Sequence, residues 1–257
     1  MPKLAITGKG GVGKTTLSAL LAYLYAQEGS KVLAIDADPD ANLASALGLP
    51  KEVADTITPI AEMDDLIEER TGARPGEYGG FFSLNPRVDD IPERFSATHR
   101  GIRLLVLGTI GRGGAGCICP ESSLLKNLVR HLIIGRSEVV ILDMEAGLEH
   151  LGRGTSAAVD AFIVVVEPGQ RSLQTARAVR RLAADIGIHK VYVVGNKIRN
   201  EAEQSFVLEN LPGDEVLGFM PFSEKAILAD MQAQAIFDAD EELVAAAKLI
   251  KDHLPVS

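Results

Sequence analysis

The fold class this sequence predicts is a doubly wound α/β domain, with a mainly parallel sheet of seven to eight strands and helices on both faces. Three observations predict it. Short runs of Val, Ile and Leu recur along the chain, segments with helical spacing separate most of them, and a glycine-rich turn joins the first run to the first helical segment. Strands that are apolar almost throughout belong to parallel sheets covered on both sides.

The first strand is read at residues 3–7. After the glycine-rich turn, Leu17, Leu20, Leu21, Leu24 and Tyr25 recur at helical spacing, with Gly29 as a stop. A second buried-type strand spans 31–35, and five more are read at 102–107, 139–142, 161–166, 190–194 and 216–220. Helices are expected at 175–186 and 201–210. Residues 71–100 break the rhythm with Gly72, Pro75, Gly76, Gly79, Gly80, Pro86 and Pro92, and read as an irregular insertion, either a lid or partner surface or a loop without chemistry. Residues 240–253 place Leu243, Ala247, Ile250 and Leu254 on one face. The opposite face is too acidic for a membrane anchor, so a helix packed on the sheet is expected. All 257 residues are read as a single domain.

Composition excludes several classes. The chain is 46% apolar and 24% charged, as in globular proteins. With 26 Lys and Arg against 35 Asp and Glu, its net charge is −9, a poor balance for non-specific nucleic-acid binding. No apolar run approaches the ~18 residues needed to span a bilayer. A strand-like run begins by Leu4, so no leader is expected before it. The two cysteines form no disulfide framework. A cytoplasmic protein is expected, with neither nucleic acid nor membrane as partner.

Gly8 to Thr15 satisfies the phosphate-loop pattern G-x-x-x-x-G-K-[ST]. Its glycines let the backbone curl so that successive N–H groups face phosphate oxygens, and the helix that follows adds its positive N-terminal end. Lys14 supplies a point charge to the β- and γ-phosphates, and Thr15 offers a hydroxyl to Mg²⁺. Asp143 ends an apolar run where a carboxylate reaches the Mg²⁺ shell, and Gly147 is placed to sense a γ-phosphate through its N–H. Asp36 and Asp38 follow the second strand, each fit to position water, to touch Mg²⁺ or to cap a helix. Lys9 is a second lysine inside the glycine stretch: either a solvated cation, or one that reaches a partner's γ-phosphate as an arginine finger does.

Cys117 and Cys119 stand together after the glycine-rich 111–116 stretch, at an expected helix N-terminus near Glu121. That setting favours thiolates, which select soft or borderline metals such as zinc or nickel. Two ligands per chain fall short of the four a closed thiolate site takes, and a two-fold dimer would supply the rest. Buried structural thiols are the alternative. The five histidines, His150 included, are scattered and form no competing site.

Lys9-Gly10-Gly11-Val12-Gly13-Lys14-Thr15-Thr16 resembles the deviant Walker A motif of the MinD-like ATPases. The resemblance implies ATP or ADP with Mg²⁺, Lys9 crossing an ATP-bound homodimer, and Asp38 as the residue that activates water. It implies slow basal hydrolysis, with Asn196, Lys197 and Pro221 beside adenine. Residues 116–119, 143–154, 166–168 and 196–200 are similar to the CooC-type nickel-insertion ATPases of that group. From these follow Ni²⁺, or Zn²⁺ in its place, on Cys117 and Cys119 at a dimer interface, and carbon monoxide dehydrogenase as client. A maturation ATPase for acetyl-CoA synthase shares these features. Two rivals fit less well. A nitrogenase-iron-protein-like electron carrier would want a second cysteine where Ala146 stands, and a MinD- or ParA-like positioning ATPase would want a basic surface or tail, neither evident in the sequence.

Overall fold

The computed structural model describes residues 1–76, 81–108, 119–146, 159–188, 190–211 and 216–255. Its sheet has eight strands: β1 (Lys3–Gly8), β2 (Val32–Ala37), β3 (Ala97–His99), β4 (Ile102–Val106), β5 (Val139–Met144), β6 (Ala161–Val166), β7 (Val191–Ile198) and β8 (Val216–Pro221). They lie in the order β3-β4-β2-β5-β1-β6-β7-β8. Every pairing is parallel except that of β3 with β4. β1 therefore sits inside the sheet between β5 and β6, and the loop after it opens at the carboxyl edge, where such folds bind ligands.

The helices are α1 (Lys14–Gln27), α2 (Leu43–Ala46), α3 (Lys51–Ala54), α4 (Asp64–Thr71), α5 (Ile91–Phe95), α6 (Pro120–Ile134), α7 (Gln170–Asp185), α8 (Glu201–Asn210), α9 (Glu224–Met231), α10 (Ile236–Ala239) and α11 (Glu241–Asp252). Alternate residues of the strands point into two apolar layers, as strand geometry requires. One layer joins Leu4, Ile6, Ala34 and Ile141 to Leu17, Leu20 and Leu21 of α1 and Leu243, Ala247 and Ile250 of α11. The other joins Leu33, Ile35, Leu142 and Val164 to Leu125, Leu128 and Leu132 of α6 and Leu173 and Val179 of α7. The C-terminal helix packs on the sheet as expected, and Asp240 caps it by accepting the N–H groups of Glu242 and Leu243 at 3.0 and 3.3 Å.

Two expectations change. The segment 71–100, read as having little regular structure, holds α5 and β3. Pro92 falls in the first turn of α5, where a missing N–H costs nothing, so proline there marks a helix start. β3 is three residues long, too short to show a period, and pairs antiparallel with β4 through the left-handed Arg100 and Gly101. The second strand is also longer than 31–35: Asp36 lies inside β2, in register with Asp143 of β5. An apolar-run reading stops at Ile35 because it does not extend a strand through a carboxylate.

Candidate nucleotide-binding site

The loop between β1 and α1 turns on Gly13, whose φ of +96° belongs to the left-handed region. A Cβ at Gly13 would lie 2.1 Å from Asn196 Nδ2, so only glycine fits. Lys14 begins α1 and is buried, with Nζ 3.2 Å from Asp38 Oδ2. Asp36, buried beneath, accepts the N–H of Asp38 at 3.2 Å and that of Leu43 at 2.9 Å. It thereby fixes the chain from Asp38 to the start of α2. Burial pushes its carboxyl up to about 6 against those two hydrogen bonds.

Asp143 is fully buried, and neither carboxylate oxygen has a hydrogen-bond partner. Burial above all, and then the neighbouring Asp36, push its carboxyl up to about 7, while the nearby Thr15 hydroxyl, short of full hydrogen-bond geometry, pulls it back. Two buried carboxylate oxygens that accept no hydrogen bond, beside the Thr15 hydroxyl, form a donor set that suits a hard divalent cation such as Mg²⁺.

A cleft of about 510 Å³ opens over these residues. Gly10, Gly11, Gly13, Lys14, Thr15 and Thr16 form its floor, and Asp38, Asn196, Lys197 and Pro221 line it as well. Val12 is buried in the loop's underside. Asn196 donates to the Val12 carbonyl at 2.8 Å, and Lys197 Nζ donates to the Gly11 carbonyl at 2.5 Å. Lys9 is half-buried and does not line the cleft of its own chain.

Sequence reading missed other parts of this cleft. Glu145 lines it, and its carbonyl accepts the Thr7 hydroxyl at 2.5 Å; its place between Asp143 and Gly147 is the signal that could have found it. The far wall is Phe222, Ser223 and residues of α9 and α10, with the Arg199 guanidinium 4.3 Å from the Phe222 ring centroid. Nothing in the glycine-rich motif points to that wall.

The nucleotide-binding domain family described as CobQ/CobB/MinD/ParA matches residues 3–236. The chain belongs to that family. Within the CobQ/CobB/MinD/ParA family, it is 48% identical over 236 residues to the carbon monoxide dehydrogenase accessory protein CooC of Rhodospirillum rubrum, covering 92% of this chain and 89% of that protein. It is also 48% identical over 236 residues to an ATP-binding protein of Methanocaldococcus jannaschii, covering 91% of this chain and 90% of that one. The fold is similar to that of a chain in the MinC:MinD cell division protein complex of Aquifex aeolicus, with a TM-score of 0.69 at 22% identity, covering 100% of this chain and 98% of that one. A ParA family ATPase of Chlorobium tepidum matches with a TM-score of 0.68 at 16% identity over 100% of both chains.

Of the expected metal pair in this family member, Cys117 lies outside the described residues, as do Gly147 and His150. Cys119 is half-buried and is the N-cap residue of α6, its carbonyl accepting the Ser123 N–H at 3.0 Å. Among the described residues no three His, Cys, Asp or Glu side chains group as a metal site, and no helix is long and apolar enough to cross a membrane. A basic face unnoticed in the sequence is present: Arg171, Arg177 and Arg181 of α7 are exposed.

Proposed function

We propose that the protein is a homodimerising, cytoplasmic ATPase that delivers nickel to the metal cluster of a carbon monoxide dehydrogenase. The observation that carries this reading is the 48% identity to CooC along 92% of the chain. The paired cysteines, two ligands where a thiolate site takes four, support a metal held between two copies.

In this reading Lys14 leaves Asp38 for the β- and γ-phosphates of arriving ATP, and the Asp38 carboxylate becomes available to a water. Thr15 and Asp143 are the residues that would hold Mg²⁺, which neutralises phosphate charge when bound. Water oxygen attacks the γ-phosphorus and gives up its proton to Asp38, the bond to the β–γ bridging oxygen breaks, ADP carries that oxygen away, and inorganic phosphate leaves. Lys9 of a second copy stabilises the charge that builds on the γ-phosphate. With the γ-phosphate gone, the segments at Asp38 and Asp143 relax, the Cys117–Cys119 geometry changes, and metal passes to the client.

The test is nickel and zinc stoichiometry together with assembly mass, with and without ATP, for wild type and Cys117→Ser/Cys119→Ser. One metal per two chains, lost in the double variant and linked to dimer formation, is expected. Equal metal binding by both proteins would make the cysteines structural and overturn the nickel reading. The exposed arginines of α7 favour one other reading, a positioning ATPase on DNA. ATP-dependent binding to duplex DNA, abolished in Arg177→Glu/Arg181→Glu, would establish it; no binding is expected.

A further inference from the structure

The polar atoms of Asn196 and Lys197 turn toward the phosphate loop. Asn196 is buried, its Nδ2 donates to the Val12 carbonyl at 2.8 Å, and its Oδ1 accepts the Lys197 N–H at 2.8 Å. Lys197 holds a φ of +60°, a left-handed backbone that costs a lysine energy. Its Nζ donates to the Gly11 carbonyl at 2.5 Å and lies 3.7 Å from Glu167 Oε2. Two consecutive carbonyls of the loop are thus held from outside by two consecutive residues of β7.

A planar trans peptide points its N–H opposite its C=O. With the Gly11 and Val12 carbonyls drawn toward β7, the N–H groups of Val12 and Gly13 face the other way, into the loop. The Val12 N–H makes only a long contact there, 3.4 Å to the Lys9 carbonyl. We propose that Asn196 and Lys197 are positioning residues that hold these peptides in the phosphate-binding orientation before the ligand arrives. Preorganised donors need no rearrangement on binding, and that is where the affinity comes from. The backbone strain at Lys197 is what places its ammonium over Gly11. The inference rests on the nucleotide reading above, but it assigns these two residues to the phosphates, where the family resemblance assigns them to the base.

Calorimetric titration with ADP and with inorganic tripolyphosphate, which has no base, separates the two assignments. The variant is Lys197→Gly, which removes the ammonium while relieving the left-handed backbone, so folding is retained. Affinity for both ligands is expected to fall by the same factor, about fivefold, with recovery in Lys197→Arg. A loss confined to ADP would make Lys197 a base reader and overturn the proposal, as would unchanged affinity for both. Wild-type protein that binds neither ligand would instead remove the nucleotide reading, and the positioning role with it.

Discussion

Lys14 Nζ stands 3.2 Å from Asp38 Oδ2, with both side chains largely screened from solvent. The cation expected to hold phosphate and the carboxylate expected to handle water neutralise one another. Lys14→Ala is therefore predicted to lose ADP and ATP binding in a calorimetric titration. Asp38→Asn is predicted to bind a few-fold more tightly than wild type, because Lys14 no longer has to leave a charge. Its phosphate release falls by about 100-fold or more, the scale of a general-base contribution. Asp38→Asn that hydrolyses at the wild-type rate removes Asp38 from the chemistry.

Lys9 does not line its own chain's cleft, so its predicted effect appears only between copies. Lys9→Ala should bind ATP normally and hydrolyse it at least 100-fold more slowly. Mixing Lys9→Ala with Asp38→Asn gives mixed dimers in which one nucleotide sees both intact residues. About a quarter of wild-type activity should return, since half the dimers are mixed and each has one working site. A mixture no more active than its components sinks the trans role.

Asp36 and Asp143 face each other in register, with carboxyls pushed up to about 6 and about 7. Between the usual carboxyl range near pH 4 and those values, the folded protein holds more protons than the unfolded chain. These two groups therefore make stability fall as pH rises from about 4 to 7. In nucleotide-free protein without divalent cation, Asp143→Asn should melt higher than wild type at pH 8 and show little difference at pH 4.5. Adding Mg²⁺ with ADP should raise the wild-type Tm more at pH 8 than at pH 5.5. A variant advantage that does not depend on pH would contradict the charge origin.

At the opposite end of the strands, Glu138 is buried and accepts Arg103 at 2.6 Å and Arg136 at 3.1 Å, while its carbonyl accepts Lys3 Nζ at 2.5 Å. Glu93 also pairs with Arg136. Glu138→Ala strips the central anion and should cost about 2 kcal/mol, since Glu93 remains. That is a fall of roughly 4–8 °C in Tm for a chain of this size. Nucleotide affinity should not change. A matching loss of affinity would show that the two ends of the sheet are coupled.

The parallel strands were legible because each contains a short, mainly apolar stretch bounded by turns, and the phosphate loop because its residue types have few other uses together. α5 and β3 were not, since five and three residues are too few to show a period. The burial of Asp36 was hidden because hydropathy marks a carboxylate as a strand's end. The grip of Asn196 and Lys197 on the loop joins residues 184 and 186 positions apart. Such a contact follows from the placement of β7 in the sheet, which no local pattern encodes. The far wall from α9 and α10 was invisible for the same reason.

The two edges of the sheet bear on how copies of the chain meet. An open edge strand invites another strand to pair, whatever else the protein has bound. At one edge β3 offers three residues and then the left-handed Arg100–Gly101 corner. At the other, β8 runs past shifts in register against β7 and ends in Pro221. Both edges are poor templates for strand addition. In a protein proposed to pair when nucleotide arrives, closing those routes makes association answer to the ligand and not to crowding.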